Sequence, residues 1–251
     1  MKYIGSKSKL AKYIVPILQN ILDKNPNIQY YVEPFVGGAN VIDKIKFPHK
    51  YGFDIDEIPI SVLHNFSKDE TLFDKLPVEI VTREEYFHIR DNKEQYKDWY
   101  RSAVLLFASY NARVYGGCYG AVTETKDGKI RNYYKEAMNN LKKQIPNLKD
   151  IIFRQRDYRS IREIKDALIY CDPPYKNSIK YSTDFDHDEF WAWVREKSEN
   201  NIVIVSEYEA PNDFKCIWQQ DVITHLNNRN KLQKVEKLFV FENTGSINRI
   251  F

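Results

Sequence analysis

Four short apolar runs in this chain each stop at a carboxylate: QYYVE at Glu33, YGFD at Asp54, LIYCD at Asp172 and IVIVSE at Glu207. Between them apolar residues recur at helical spacing, in KSKLAKYIVPILQNIL (7 to 22), EIPISVLHNF and DHDEFWAWVREKSE. Short β-branched and aromatic runs alternating with helical patterns predict strand–helix units and a parallel α/β sheet. Such a sheet binds its ligands beyond the carboxyl ends of its strands, so these acids fall on the edge where chemistry is expected.

The rhythm breaks from about 67 to 148. There a polar helical pattern, REEYFHIRDNKEQYKDWYRSAVLLFASYN, runs into a glycine-rich turn region, RVYGGCYGAVTETKDGK. We read 67–148 as an inserted, mainly helical lobe, and 1–66 with 149–251 as one α/β domain. Two β-rich runs, FKCIWQQDVITHL and KVEKLFVFEN, predict a terminal hairpin. With 251 residues, 43% of them hydrophobic, the sequence can bury one α/β core plus such a lobe. Three scattered cysteines (Cys118, Cys171, Cys216) spell neither a disulfide framework nor a zinc site, which points to a reducing, cytoplasmic compartment and no metal. The brief IVPIL near the lysine-rich N-terminus is too short for a signal peptide or membrane span, so a start at or next to Met1 is expected.

Three strand ends carry local chemistry, each with a plain structural alternative. VEPFVGGAN turns through Gly37 and Gly38 and, as a glycine turn into a helix, would let a ligand approach bare backbone; it could equally be a structural turn. Asp54 and Asp56 follow about where a doubly wound fold places an acid for ribose hydroxyls, or else serve a helix N-terminus. In CDPPY, Pro173 and Pro174 remove two backbone donors and stiffen the exit from the strand. Asp172 and the Pro173 carbonyl then offer acceptors to an amine, and Tyr175 a ring face. The alternative there is a strand-ending acid, a turn and a surface tyrosine.

Taken in order, these residues resemble the Dam-like, alpha-class adenine-N6 DNA methyltransferases over nearly the whole chain. KYIGSK (2 to 7) resembles that family's KWAGGK, VEPFVGGAN its EPFVGAG loop, FDID its acid-ended second strand and RDY (156 to 158) its adenine clamp. YCDPPY holds its catalytic tetrapeptide in full. The resemblance implies a Rossmann-like methyltransferase sheet with an inserted DNA-recognition lobe, and S-adenosylmethionine as the methyl donor. It implies that Tyr3 and Lys7 lie beside the donor, Lys7 on its carboxylate, with Phe35, Gly37 and Gly38 forming the loop around it. Asp54 would take the ribose hydroxyls, Asp157 the adenine amine, and Tyr158 would pack on that ring. Tyr3 and Ser6 stand where the family usually has tryptophan and glycine.

The resemblance further implies a target adenine flipped out of duplex DNA, because its amino group is hidden in the stack. Asp172 and the Pro173 carbonyl would accept the two amino hydrogens while Tyr175 stacks on the base. Direct displacement then needs orientation and electrostatics rather than a strong base. In the insert, residues 83–143 hold 12 Lys and Arg against 8 Asp and Glu, a modest basic excess. Tyr110, Asn111, Arg113 and Tyr115 flank its turn, and Asn and Arg are the side chains that read adenine and guanine edges. Lys126, Lys129, Arg131 and Lys135 are expected on phosphates. The family's following Phe-Asn-x-Pro-x-Gly pattern is missing, so GATC is not expected as the target. The expected activity is site-specific adenine methylation of DNA, alone or beside a restriction endonuclease. Cytosine-N4 methylation, or a catalytically inactive nucleic-acid-binding module of the same fold, are the alternatives.

Overall fold

The computed structural model describes residues 1–78, 81–114, 118–125, 127–175, 185–227 and 230–242, without the side chains of Asn111 and 222–233. Strands β1 (Tyr30–Glu33), β2 (Lys50–Asp54), β5 (Ile151–Gln155), β6 (Ala167–Cys171) and β7 (Ile202–Glu207) run parallel, and the long hairpin β8 (Phe214–Asn227) and β9 (Asn230–Phe241) closes one side. The order across the sheet is β5-β2-β1-β6-β7-β9-β8, with β9 antiparallel to both neighbours. The chain builds outwards from β1 to β2 and β5, then resumes on the other side with β6. The order therefore reverses between β1 and β6, and a crevice opens at their carboxyl ends.

Alternation along the strands assigns each residue to a face. Tyr31, Leu168, Ile202 and Ile204 join one core, and Val32, Ile169, Val203 and Val205 the other. Because both faces are covered, β6 and β7 are apolar almost throughout and fully buried, as expected of parallel central strands. On the first face lie α1 (Ala11–Lys24), which buries Ala11, Ile14, Leu18, Ile21 and Leu22, and α2 (Glu57–Lys68). Asp56 caps α2, its side chain accepting from the Ile58 amide at 3.0 Å. On the second face lies α6 (His187–Ser198), capped by Asp186 and seating Phe190, Trp191, Trp193 and Val194.

The segment 67–148 leaves the sheet after α2 and returns at β5. It contains α3 (Arg83–Asp91), α4 (Asp98–Ala108), a small hairpin of β3 (Val122–Glu124) and β4 (Ile130–Asn132), and α5 (Tyr133–Gln144). Ala103 to Ala108 of α4 and Tyr134, Ala137 and Leu141 of α5 are buried in the same core as Ile14 and Tyr31. At its end α5 reaches the glycine loop, where the Gln144 side-chain amide donates to the Ala39 carbonyl at 2.9 Å and to Asp43 at 3.0 Å.

Two local expectations need correction. The helix expected from residue 7 begins only at Ala11; Lys7–Lys9 form a separate 3-10 turn, because Gly5 sits at φ 71 and Ser6 caps the turn. The helix expected after Gly37 and Gly38 is only a 3-10 turn at Ile42–Lys44, the backbone being carried through Gly37 at φ 46 and Ala39 at φ 55. Positive φ at two of three consecutive residues is incompatible with a right-handed helix, so the loop offers backbone rather than a helix N-terminus.

Candidate active site

Three groups gather residues from the carboxyl ends of β1, β2, β5 and β6. The first is the glycine loop. Gly37 donates its amide to Asp54 Oδ2 at 2.9 Å, and Asp56 donates its own to Asp54 Oδ1 at 3.0 Å, so the acid that ends β2 anchors the loop that follows β1. Burial pushes the Asp54 carboxyl up to about 6, against the pull of those amides. A Cβ at Gly37 would lie 2.6 Å from the Tyr3 ring, and one at Gly38 2.6 Å from the Met1 carbonyl oxygen. Glycine is required here by close approach: the N-terminal segment lies directly against the loop.

The second group is aromatic. Tyr158, in the 3-10 turn after β5, lies 5.4 Å from Phe35, 5.8 Å from Phe185, 5.6 Å from Phe190 and 5.3 Å from Trp193, ring centre to ring centre. Phe35 also meets Phe185 edge-on at 5.9 Å. Beside this cluster Asp157 accepts from the Arg159 amide and Nε, both at 2.9 Å, and from its Nη2 at 2.5 Å. The Arg159 guanidinium holds the Asp157 carboxyl below the usual carboxylate range.

The third group is built around the stretch after β6. Lys7, turned inward by its 3-10 turn and only 9% exposed at the side chain, places Nζ 2.9 Å from Asp172 Oδ1. The same ammonium lies 4.4 Å from the centre of the Tyr175 ring and 3.6 Å from Glu236 Oε1. Tyr175 donates its hydroxyl to Glu236 and lies 3.1 Å from Ser206 Oγ, and Ser206 donates to the same Glu236 oxygen at 2.6 Å. Tyr208 packs edge-on against Tyr175 at 4.6 Å. Burial lowers the affinity of Lys7 for its proton, but Asp172 and Glu236 more than offset this and raise it. Burial pushes Asp172 up to about 6, opposed by Lys7 and assisted by Glu236. Pro173 is buried beside it.

The structure thus brings together Tyr3, Gly37, Gly38 and Asp54 in one cluster, Phe35 and Tyr158 in a second, and Lys7, Asp172 and Tyr175 in a third. The candidates of the insert lie elsewhere. Tyr110 is 56% exposed, its amide bonded to the Cys118 carbonyl at 2.8 Å, and Arg113 is half-buried at the end of the same turn. Arg131 is held by Glu136 at 2.7 and 2.9 Å and lies over the Tyr133 ring. Lys126 and Tyr115 lie outside the described residues, as does the Asn111 side chain.

The strand end IVIVSE holds Ser206, whereas Glu236 lies outside every strand end that the sequence marks. A signal exists for the latter: in KVEKLFVF, Glu236 is in phase with Leu238 and Val240, both fully buried, so a carboxylate sits on the inward face of a strand.

The sequence profile of the D12 class N6 adenine-specific DNA methyltransferases matches residues 3–243. The Type II methyltransferase M.MjaIII of Methanocaldococcus jannaschii is 28% identical, with 75% of this chain and 75% of that one covered. Among solved structures, the rRNA methyltransferase aviRa from Streptomyces viridochromogenes superposes with a TM-score of 0.43 at 10% identity, over 96% of this chain and 87% of that one.

Proposed function

The chain belongs to the D12 class N6 adenine-specific DNA methyltransferase family, and from that premise we propose that Asp172, Pro173, Pro174 and Tyr175 receive a flipped adenine while Lys7 and the glycine loop hold S-adenosylmethionine. The protein is a DNA adenine methyltransferase. The observation that carries the assignment of roles is the convergence of one ammonium, one carboxylate and one ring: Lys7 touches both Asp172 and the face of Tyr175.

The residues present suit a donor that combines an amino-acid end, a ribose and an adenine. Lys7 is a buried cation for its carboxylate, and the glycine loop allows close approach where any Cβ would collide. Asp54 has lone pairs left after its two amide bonds, enough for ribose hydroxyls. Phe35, half-buried, supplies a ring face for the adenine with the buried Tyr158 behind it, and Asp157, kept ionised by Arg159, supplies an acceptor for its amine. When bound, the donor supplies an electrophilic methyl group on a sulfonium. Everything else is orientation: Asp172 and the Pro173 carbonyl accept the two N6 hydrogens, which turns the nitrogen lone pair towards the methyl, and Tyr175 stacks on the base. Transfer of that methyl to N6 would leave the sulfur its electron pair as a neutral thioether, and the extra proton on N6 would pass to solvent.

We assign DNA contacts to the exposed face of 67–148, with Tyr110, Asn111 and Arg113 towards bases and Lys126 and Arg131 towards phosphates. Duplex DNA as the form bound, a cognate restriction endonuclease as partner and the cytoplasm as location complete the proposal. Among the described residues no helix is long and apolar enough to cross a membrane. Incubating the protein with tritiated S-adenosylmethionine and unmethylated DNA tests the reading directly. Label recovered in N6-methyladenine supports it, and label in N4-methylcytosine, or none, overturns it.

Two further results are expected. Asp172 must be ionised to accept, and its carboxyl is pushed up to about 6; kcat/KM should therefore rise with pH through about 6 and level off above it. A profile flat between pH 5 and 7 would contradict this. Asp54→Ala leaves the Gly37 and Asp56 amides without their acceptor and removes the ribose partner. With each buried donor left unpaired costing about 1–3 kcal/mol, KM for the donor should rise by about 10- to 100-fold while kcat changes less. Initial-rate kinetics with varied donor would read both.

A further inference from the structure

We propose that Glu236, on the inward face of β9, is a positioning residue that fixes the Tyr175 ring through its hydroxyl and shares Lys7 with Asp172. The inference rests on the methyltransferase reading of the site.

The geometry is unusual for a residue that only stabilises. Glu236 is 2% exposed, and a carboxylate so deep is costly unless donors surround it. It has three: the Tyr175 hydroxyl, the Ser206 hydroxyl at 2.6 Å and the Lys7 ammonium at 3.6 Å. All three belong to the site. Ser206 is carried by β7, and the pairing of Ser206 with Leu238 and of Glu207 with Lys237 sets it beside Glu236. Two residues earlier on the same face, Lys234 lies 4.2 Å from the centre of the Tyr208 ring, and Tyr208 abuts Tyr175 edge-on. β9 therefore holds Tyr175 twice, at the hydroxyl through Glu236 and at the ring edge through Tyr208. A stacking platform fixed at two points loses less freedom when a base settles on it.

The distribution of donors has a chemical consequence. Lys7 is nearer Asp172 than Glu236, 2.9 against 3.6 Å. If Lys7 turns to the carboxylate of the donor, Glu236 retains two hydroxyls, whereas Asp172 gives up its ammonium partner. Asp172 is then the acceptor that needs the adenine amine. Glu236, already satisfied, does not compete for it.

Glu236 also acts on Asp172 by charge. Besides Lys7 and Glu236, the groups that face Asp172 are Glu33 from β1, Tyr170 and Cys171 from β6, and Tyr175 and Tyr208 beside it. Of these, Lys7 draws the Asp172 carboxyl down, Glu236 pushes it up and the Tyr175 hydroxyl draws it down. Removing the charge of Glu236 should therefore move the acid limb of the rate profile to lower pH.

The test uses Glu236→Gln, which keeps an oxygen for both hydroxyls, together with Ser206→Ala, Tyr175→Phe and the double variant of Tyr175 and Glu236. Each is assayed for methyl transfer from labelled S-adenosylmethionine to unmethylated DNA, with kcat and donor KM followed against pH. E236Q is expected to shift the acid limb to lower pH and to lower kcat about 10-fold, as its bonds to both hydroxyls lose their charge assistance, with donor KM within about twofold. S206A should lower kcat without moving the limb, and Y175F should lower kcat and move the limb to higher pH, because the Tyr175 hydroxyl draws the Asp172 carboxyl down. The double variant should be no slower than the slower single variant, since both changes act on the same bond, which E236Q weakens and Y175F removes. An unmoved limb in E236Q, or fully multiplicative losses in the double variant, overturns the inference. If E236Q does not fold, Y175F decides alone, and a Y175F enzyme with the parent kcat overturns it. Absence of methyl transfer by the unmodified protein would instead sink the reading of the site itself.

Discussion

Asp172→Asn should leave a folded protein whose kcat for methyl transfer is down by about 10³-fold, the scale of removing a buried group aimed at the reacting centre. The substitution is nearly isosteric, yet it removes the charge. An amide offers one neutral acceptor oxygen in place of two carboxylate oxygens, so the adenine amine is held less strongly and the orientation of the N6 lone pair is weakened. Lys7 keeps Glu236 as a neighbour, so its charge is not stranded. The effect on stability differs from the effect on rate. Burial raises the native Asp172 carboxyl to about 6 from an ordinary 3.8. The folded state thus holds this proton more tightly than the unfolded chain, and the resulting stability, present below about pH 4, is lost as pH rises through about 6. Above that pH the amide removes the loss, so D172N should melt cooperatively at pH 8 despite its inactivity. Single-turnover incorporation beside a calorimetric melt measures both. A variant retaining more than a tenth of the parent rate would contradict the role given to Asp172.

Tyr175→Ala is the second large effect. It removes the ring proposed to stack on the base, an interaction of about 1–3 kcal/mol per base in other nucleic-acid-binding proteins, and strips Glu236 of a donor and Lys7 of a ring face. Together these should lower kcat/KM for DNA by about 10²-fold or more. Tyr175→Phe keeps the ring and loses only the hydroxyl, so its loss should be about tenfold. The separation between alanine and phenylalanine is the diagnostic. Equal losses would mean that the hydroxyl, not the ring face, carries the function.

Where a site residue ends a parallel strand, its place could be read from the chain alone. Asp54 and Asp172 follow apolar runs, and the sheet sets one run on each side of β1, at the switch point. The expected terminal hairpin, α2 and α6 also follow from local pattern, because apolar spacing, capping acids and turns agree there. What local pattern misses is whatever depends on distant parts of the chain. GGANVIDKI has the spacing of a helix start, but contact with Met1, Tyr3 and Gln144 holds it as a loop with positive φ. Glu236 escaped notice for a topological reason. β9 runs against its neighbours, so it meets the carboxyl edge of the sheet part-way along its length, and no strand end marks the residue.

The reach of the site across the chain also dictates when activity can begin. Lys7 comes from the first turn of the molecule and Glu236 from its last strand, yet both bear on Asp172 and Tyr175. During synthesis, the sheet from β1 to β7 can assemble before β9 has emerged, but Lys7 and Tyr175 then lack a partner that only the final hairpin brings. Ribosome-bound chains and fragments that stop before residue 236 would carry the donor loop without a finished platform for the base. With the site as proposed, the onset of methylation would report the docking of β9.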